Sequence, residues 1–336
     1  GNRMPGTLIY LSNCAISADG RQNPFMMQEL PWLMAHFDRV MMVSYYGVRT
    51  LMPGDERGER PFTAVRPGLA GLRALLKTPF TADVWRELKH MRRDGVLTPG
   101  NALRLLAFTQ RGLKMHYWTE RLLRGVVEAH TTLYSCWMSF DGYAAALSKR
   151  KHPRVRCVIR GHAYDVDTER FAKNPYMMKR RIAAEADGLY LISRTARAQF
   201  MSYMRGHVDE RKVHVLAMGS SGMPVDHLRE PPLYTQGVLR VVSCAMFNPI
   251  KQVDVLVRAL SRWEGGPLCW THIGGGAEEG AVRALASELL DPKENVICEL
   301  LGELDGAHVQ RIYDTRPFDV FINTSKKEGV PVSIME

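Results

Sequence analysis

The chain has 336 residues, of which 46% are hydrophobic and 24% charged, a balance typical of a globular protein large enough for two domains. No apolar run reaches the roughly 18 residues that would span a bilayer, and the opening GNRMPGTLIYLSNC does not resemble a signal peptide. The six cysteines form no CxxC pair and the eleven histidines no HxxxH pair, which favours reduced thiols in a cytoplasmic protein and predicts no metal site.

The formal net charge of +10 is unevenly distributed. Residues 1–232 carry 35 Lys and Arg against 21 Asp and Glu, whereas residues 233–336 carry 10 against 14. The first part is therefore expected to face something anionic: a nucleic acid, an anionic membrane surface or a phosphorylated lipid acceptor. Ordinary solubility is the alternative, so the charge alone does not choose a function.

Strands and helices alternate along the first 232 residues. Predicted strands cover 7–14, 38–46, 131–138, 154–162, 188–193 and 212–218, and predicted helices cover 24–36, 141–150, 174–186 and 194–205. Residues 47–68 are predicted to be a loop, and residues 69–125 to be helical with a break at 97–100.

The alternation restarts after Pro231-Pro232, the best candidate for a linker. Predicted strands at 239–246, 268–276, 296–302 and 319–325 are separated by helices over 251–262, 277–290 and 305–313. This pattern predicts two α/β domains, 1–232 and 233–336, each with a parallel doubly wound sheet. Ligands in such sheets bind at the carboxyl ends of the strands, so a cleft between the two domains is expected.

The last nine residues, EGVPVSIME, follow a predicted buried strand and lead into a predicted helix. The amino end of a helix favours anions, and Gly329 and Pro331 would allow a close, stiff approach of the backbone. Glu328 can accept hydrogen bonds from sugar hydroxyls, and Glu336 can bind both hydroxyls of a ribose.

In this context the segment resembles the donor-binding signature of glycosyltransferase family 4, whose members are retaining enzymes with the GT-B fold. The resemblance implies two Rossmann-like domains, with Glu328 at the donor sugar and Glu336 at the nucleotide ribose. It also places Gly329, Val330, Pro331, Val332 and Ser333 against the donor. It implies a nucleotide-sugar substrate, UDP- or GDP-linked, and no bound metal.

Two further segments of the second domain resemble the same family. SCAMFNPIKQVDVLVRAL contains the family's Pro and Lys, here Pro249 and Lys251, and the resemblance implies that Lys251 neutralises the donor diphosphate. Where the family usually has an Arg shortly before this Lys, the chain has Met246. In THIGGGAEEG, Gly274 and Gly276 match the family's glycine-rich turn beside the nucleotide.

The first domain resembles bacterial surface-polysaccharide members of the family. CVIRGHAYDVDTERF matches their Arg-x-His-x-x-Asp pattern through Arg160, His162 and Asp165. The resemblance implies that His162 contacts the donor sugar or positions the acceptor, with Arg160 and Asp165 beside it. The entry segment NPFMMQELPWLMAHFDRV also matches, and the preceding loop keeps Asp19-Gly20 near the acceptor and phosphates.

Residues 73–124 carry eleven Lys and Arg against four Asp and Glu. Arg104, Arg111, Lys114, Arg121 and Arg124 recur at spacings of seven and three and are predicted to share one helical face with Trp118. Such a face would suit anionic lipid headgroups or a lipid-phosphate acceptor, and a solvated helix surface is the equal alternative.

The sequence therefore predicts a retaining glycosyltransferase that moves a hexose from a nucleotide diphosphate to a surface glycan, with a lipid-linked acceptor at the cytoplasmic face of the membrane. A nucleotide-sugar epimerase or a glycogen-type synthase is the rival enzyme. A catalytically inactive nucleotide- or glycan-binding protein is the rival of another class, motivated by Met246 and by the end of the chain at Glu336. A nucleic-acid binder is disfavoured because no known reader motif is present. Because Glu336 is the last residue, the second domain is expected to be incomplete and the chain a fragment.

Overall fold

A computed structural model describes residues 4–14, 24–45, 62–64, 69–166, 177–219, 237–328 and 332–335. The chain divides into two compact units, Gly1–Met218 and Gly219–Glu336. The domain boundary predicted at 232 lies in 220–236, outside the described residues.

The first unit contains a seven-stranded parallel sheet in the order β3-β2-β1-β4-β5-β6-β7. Its strands are β1 (Met4–Ser12), β2 (Phe37–Ser44), β3 (Phe62–Ala64), β4 (Thr131–Ser135), β5 (Arg156–Gly161), β6 (Gly188–Leu191) and β7 (Val213–Val215). The middle of β1 is fully buried, as expected for a strand that is covered on both faces.

The helices of this unit are α1 (Pro24–His36), α2 (Leu69–Lys77), α3 (Ala82–Arg93), α4 (Pro99–Leu123), α5 (Phe140–Lys151), α6 (Ala163–Val166), α7 (Lys179–Glu185) and α8 (Arg194–Met204). Short 3₁₀ turns lie at Thr78–Phe80, Glu128–His130 and Glu210–Lys212. Helix α4 begins after Thr98, whose hydroxyl accepts from the Asn101 amide, and Pro99 fits its first turn. One core cluster joins α1 to the sheet through Met26 and Leu30.

The second unit contains a four-stranded parallel sheet in the order β10-β9-β8-β11. Its strands are β8 (Leu239–Cys244), β9 (Leu268–Ile273), β10 (Val296–Leu300) and β11 (Val320–Phe321), and its helices are α9 (Val253–Ser261), α10 (Glu279–Leu290), α11 (Gly306–Thr315) and α12 (Val332–Met335). Phe247, Val257 and Trp270 are buried in its core. The predicted α/β class with parallel sheets is confirmed.

A short strand and a short α-helix of the first unit were not predicted. Strand β3 lies in the stretch expected to be a loop, and α6 follows β5 directly. The predicted strand 319–325 pairs only over Val320–Phe321. The Ile322 amide still bonds to the Val242 carbonyl of β8, and Thr324 and Lys326 bond to the loop that follows β8. Among the described residues, no helix is both long and apolar enough to cross a bilayer.

Candidate functional site

Both sheets reverse their direction of winding at a defined place. In the second unit, β8 is followed on one side by β9 and β10 and on the other by β11, so the switch point lies between β8 and β11. In the first unit it lies between β1 and β4. Loops diverge at the carboxyl ends of the strands beside such a point and leave a crevice there, which is where ligands of doubly wound sheets bind.

Lys251 and Glu328 meet at the switch point of the second unit. Lys251 lies in the loop after β8 and Glu328 in the loop after β11, and their Nζ and Oε1 atoms are 2.6 Å apart. Both side chains remain 24% exposed, so a ligand can reach them. Asn323 donates a second hydrogen bond to the same carboxylate oxygen at 3.2 Å. The structure thus brings together two residues that are 77 positions apart in sequence.

Hydrogen bonds fix the two loops to each other. Asn248 Oδ1 accepts from the amides of Ile250 and Lys251, both at 3.0 Å, which forms an Asx-type turn that places the lysine. The Thr324 hydroxyl lies 3.0 Å from the Lys251 carbonyl and 2.9 Å from that of Gln252. Gln252 has a left-handed backbone (φ 49°) just before α9. Neither Asn248 nor Thr324 was predicted as a site residue from the sequence.

The charge state of Glu328 follows from these contacts. Partial burial alone would raise its pKa, but the hydrogen bond and positive charge of Lys251 outweigh burial and lower the pKa below its ordinary value. Glu328 is therefore ionised at neutral pH. A negatively charged ligand must share or replace this carboxylate as the partner of Lys251.

Gly274 and Gly276 form the turn after β9 and lie against the loop after β8. Their φ angles are 144° and 152°. A Cβ atom on Gly274 would lie 2.0 Å from the Ala245 carbonyl oxygen, and one on Gly276 would lie 2.6 Å from that of Phe247. Only glycine permits both this backbone and this close approach. The two predicted glycines therefore allow the β8 and β9 loops to approach each other closely at the carboxyl edge. Their predicted place beside the nucleotide stays a prediction.

A buried histidine supports the same loop and was not predicted. The Trp270 indole donates to Ser243 Oγ at 2.8 Å, and Ser243 Oγ lies 2.8 Å from His272 Nδ1. His272 Nε2 lies 3.1 Å from the Ala245 carbonyl oxygen, which can only accept, so Nε2 carries the proton. Burial lowers the pKa of His272 to about 4, and the ring is neutral at pH 7. This chain of bonds anchors the backbone that leads to Lys251.

In the first unit, Arg160 lies at the end of β5 and is almost fully buried. Its guanidinium is 3.3 Å from Glu29 of α1 and donates to the carbonyls of Leu216 and Ala217 at 3.2 and 3.1 Å. Tyr134 also donates to Glu29. Arg160 therefore ties α1, β5 and the segment after β7 together, and its predicted contact with the acceptor stays a prediction.

His162 and Asp165 lie in the same interior network. The carboxylate of Asp165 accepts from the amides of Met138 and His162, both at 2.6 Å, and His162 Nε2 lies 3.0 Å from the Cys136 carbonyl. Burial and the charge of Arg160 lower the pKa of His162 to about 3, and burial raises that of Asp165 to about 6. His162 is 3% exposed, and its ring is tilted against that of Trp137 with the centroids 4.3 Å apart. Its role toward a sugar also stays a prediction.

Several predicted site residues lie outside the described residues. These are Asp19, Gly20, Gly329, Val330, Pro331 and Glu336. A helix was predicted to start after this loop, and the short helix α12 begins there, at Val332. Ser333 is half-buried within it. Met246, at the position where the resemblance expects an arginine, is 61% exposed beside the β8 loop.

The basic residues of α4 do not share one face. At about 100° per residue, Arg124 lies roughly 160° around the helix from Arg104. Arg111 stands over the Phe140 ring at 5.8 Å and Lys114 over Tyr45 at 5.0 Å, whereas Arg121 stands over Trp118 at 5.2 Å. The prediction of a single basic stripe is wrong because its spacings of seven and three drift around a straight helix.

Thiols and metal ligands add no second site to the described part of the chain. All six cysteines are free, with Cys136 and Cys157 buried and the other four half-buried. Among the described residues, no group of three or more His, Cys, Asp and Glu side chains has the arrangement of a metal site.

No family profile and no curated protein matches the sequence. Solved structures do match it. The lipopolysaccharide outer core galactosyltransferase WaaB aligns with 98% of this chain and 77% of its own at 14% identity and a TM-score of 0.58. A trehalose 6-phosphate synthase from Burkholderia multivorans aligns with 98% of this chain and 79% of its own, at 11% identity and a TM-score of 0.63. Anabaena HepE, solved with UDP and glucose, aligns with 96% of this chain and 75% of its own, at 13% identity and a TM-score of 0.56.

These likenesses and the two parallel sheets identify the fold. The chain has the GT-B fold, with two Rossmann-like units, as the sequence predicted.

Proposed function

We propose that the protein is a retaining glycosyltransferase that moves a hexose from a nucleotide diphosphate to a glycan or lipid-linked acceptor in cell-surface polysaccharide synthesis. The observation that carries the proposal is the meeting of Lys251 and Glu328, 2.6 Å apart, at the switch point of the second sheet. A cation and a sugar-binding carboxylate side by side suit a sugar diphosphate, which presents a phosphate and hydroxyls next to each other. The GT-B fold and the glycosyltransferases that share it support the same reaction class.

In the proposed reaction, the bond between the sugar anomeric carbon and the diphosphate oxygen breaks, and the electron pair leaves with the nucleoside diphosphate. Lys251 stabilises the negative charge that grows on that oxygen, which lowers the barrier. Glu328 orients the sugar through its hydroxyls, and Glu336 binds the ribose. The acceptor oxygen forms the new bond on the same face of the sugar, and its proton passes to the departing diphosphate.

The first unit is proposed to bind the acceptor. Its excess of Lys and Arg favours an anionic or lipid-linked glycan at the cytoplasmic face of a membrane. Arg160, His162 and Asp165 would shape that site by holding α1 and the β4 and β5 loops in place. Neither a bound metal nor a nucleic acid has a role in this reaction.

The decisive experiment pairs nucleotide binding with donor turnover. Thermal shifts with UDP, GDP, ADP and dTDP identify the base, because a ligand of the native state raises Tm with its excess over Kd. Hydrolysis of the matching nucleotide-sugars then tests catalysis, and analysis of the product anomer tests retention. Donor hydrolysis in the absence of an acceptor, lowered about 10²–10³-fold in Lys251→Ala, supports the proposal. Absence of both binding and turnover with every nucleotide-sugar would sink it.

A catalytically inactive nucleotide- or glycan-binding protein is the second candidate. It is favoured by exposed Met246, which leaves Lys251 without the neighbouring arginine that the resemblance expects. Tight binding of one nucleotide with no turnover of its sugars, in the presence of lipid-linked acceptors, would select this candidate. Restoration of turnover by Met246→Arg would then identify the missing charge as the cause.

A further inference from the structure

Helix α2 of the first unit is packed with its small side chains inward and its leucines outward. Ala74 is fully buried, and Ala70 and Gly71 are half-buried where α2 packs on α4. The long side chains of Leu69, Leu72, Leu75 and Leu76, which we call the leucine face, are 85, 55, 61 and 63% exposed. An amphipathic helix that is covered only by its own domain buries its leucines, so this face is built to contact something else.

Aromatic side chains extend the leucine face beyond the end of the helix. Phe80, in the 3₁₀ turn that follows α2, is 79% exposed, and Trp85 of α3 is 64% exposed. The Trp85 indole donates to the Pro79 carbonyl at 2.9 Å, which fixes the ring beside this turn. Exposed Trp and Phe next to leucines are typical of side chains that lie at the boundary between lipid and water.

Cations surround the apolar residues. A groove of about 780 Å³, which we call the basic groove, runs beside the leucine face between α2, the start of α3, α4 and α5. The cations that line it are Arg73, Lys77, Arg121, Arg124, Arg150 and Lys151. Its two carboxylates, Asp83 and Glu120, are buried and already paired, with Arg181 and Lys151 respectively. Among the described residues, the other five cations have no carboxylate partner.

The positions of four of these cations have an ordinary explanation that involves no partner. Arg121 and Arg124 lie at the carboxyl end of α4, and Arg150 and Lys151 at that of α5, where basic residues are favoured by the helix dipole. The combination is what selects the partner. Residues 69–82 contain four leucines and two cations and no acidic residue, so the surface is both apolar and uniformly positive.

We propose that the leucine face and the basic groove dock the first unit on an anionic lipid bilayer. The leucines and Phe80 enter the boundary between headgroups and acyl chains, and the cations bind the lipid phosphates. A second copy of the chain fits less well, because a symmetric contact through this surface would bring two positively charged surfaces together. A nucleic acid would use the cations and leave the leucines in water. The inference deepens the proposed function by naming the surface that brings the enzyme to a lipid-linked acceptor.

The test is co-sedimentation of the full chain with vesicles of phosphatidylcholine containing about one third phosphatidylglycerol, without nucleotide. The protein should sediment with these vesicles, should bind pure phosphatidylcholine weakly, and should dissociate as salt is raised. Leu72→Gln/Leu76→Gln should lower the partition coefficient about 30-fold, since two apolar side chains no longer enter the lipid. Arg121→Gln/Arg124→Gln should also lower it about 30-fold, since two cations no longer bind the lipid phosphates.

The matched control is Leu103→Gln/Arg104→Gln. It replaces one leucine and one arginine by glutamine at exposed positions of α4 that do not line the basic groove. It should bind vesicles as the parent does. The inference is overturned if the parent does not sediment with anionic vesicles, or if Leu72→Gln/Leu76→Gln binds them equally well. It is also overturned if gel filtration gives a parent dimer that this variant converts to a monomer, because the leucine face would then be a self-interface.

Nucleotide binding in solution separates this inference from the proposed function. Both double variants should retain the nucleotide-induced thermal shift of the parent, because α2 and α4 belong to the first unit and Lys251 and Glu328 to the second. Vesicle binding without any nucleotide binding would leave the docking surface standing and remove the glycosyltransferase proposal. Nucleotide binding without vesicle binding would overturn the docking surface and leave the glycosyltransferase proposal standing.

Discussion

The two units carry charged side chains at the same place in their sheets but use them differently. In the second unit, Lys251 and Glu328 are each 24% exposed and bond mainly to each other. In the first unit, Arg160, His162 and Asp165 are at most 7% exposed and bond to backbone groups and to buried partners. The carboxyl edge of a doubly wound sheet therefore holds both ligand-binding groups and the internal bonds that shape loops. Exposure distinguishes the two, and a motif in the sequence does not.

The largest expected effect tests the structural role in the first unit. Asp165→Ala should lower the free energy of unfolding by about 3–5 kcal/mol, because two amides lose their acceptor and the buried Lys179 loses its negative neighbour. Urea unfolding of the full chain measures this effect. Glu264→Ala, at an exposed carboxylate of the second unit, is the control and should leave stability nearly unchanged. A stable Asp165→Ala protein that only loses activity would make this residue part of the reacting site instead.

The next effect tests whether Lys251 acts on a ligand. Lys251→Ala should lower kcat/KM for donor turnover about 10²–10³-fold, since it removes a charge placed where the leaving group becomes negative. Tm should change by only a few degrees, because the side chain is partly exposed. Lys293→Ala removes the same charge at the amino end of β10 and should keep full turnover. Equal losses in both variants would argue for a general effect of charge.

His272 provides a pH test within the second unit. Its pKa is about 4 in the folded chain against 6.5 for an ordinary histidine, so the unfolded chain binds more protons between these values. The contribution of this group to the free energy of unfolding is therefore fully present above pH 6.5. It decreases by about 3 kcal/mol as the pH is lowered from 6.5 to about 4. Titration of the imidazole Cε1 resonance by NMR, assigned with His272→Gln, measures the folded pKa. A midpoint near 6.5 would contradict the buried, neutral ring.

The smallest effect concerns competition for Lys251. Glu328→Gln removes the carboxylate that a phosphate must share or replace, so UDP or the preferred nucleotide should bind about three- to tenfold more tightly. Turnover should nevertheless fall, because the amide holds sugar hydroxyls less strongly than the carboxylate. Calorimetry with the nucleotide and a kinetic assay with its sugar give the two values. Weaker nucleotide binding in this variant would mean that Glu328 and the phosphate do not compete.

Much of the fold could be predicted because its signals are local. Apolar runs bounded by turn residues predicted β8 and β9, and helix α1 lies where its pattern placed it, at Pro24–His36. The periodicity of residues 69–125 predicted helices but not which side of α2 would be buried. Which side of α2 is buried depends on the close approach of α4 to the small side chains of α2. This approach is a property of the two packed helices and is not written in the sequence of α2 alone.

The candidate site could be predicted only in part. Lys251, Gly274 and Glu328 were found because their neighbours in sequence resemble a known signature. Thr324 and His272 act through hydrogen bonds to backbone groups in other loops, and no local pattern marks such partners. Asn248 bonds within its own loop, to the amides of Ile250 and Lys251, so its local Asx-type turn is a signal that the sequence did offer. Arg160 and His162 were recognised in sequence, but their burial follows from α1 and β4, which pack over them.

Thr324 holds the Lys251 loop in place before a ligand binds, which affects the entropy of binding. Its hydroxyl bridges the Lys251 and Gln252 carbonyls, and the Lys326 amide bonds to the Ile250 carbonyl at 2.8 Å. The entropy lost in bringing the two loops together is thus spent during folding, before any ligand arrives. A nucleotide diphosphate would meet a lysine already in position, and its affinity would be limited by exchange of the Glu328 carboxylate and not by ordering of the loop.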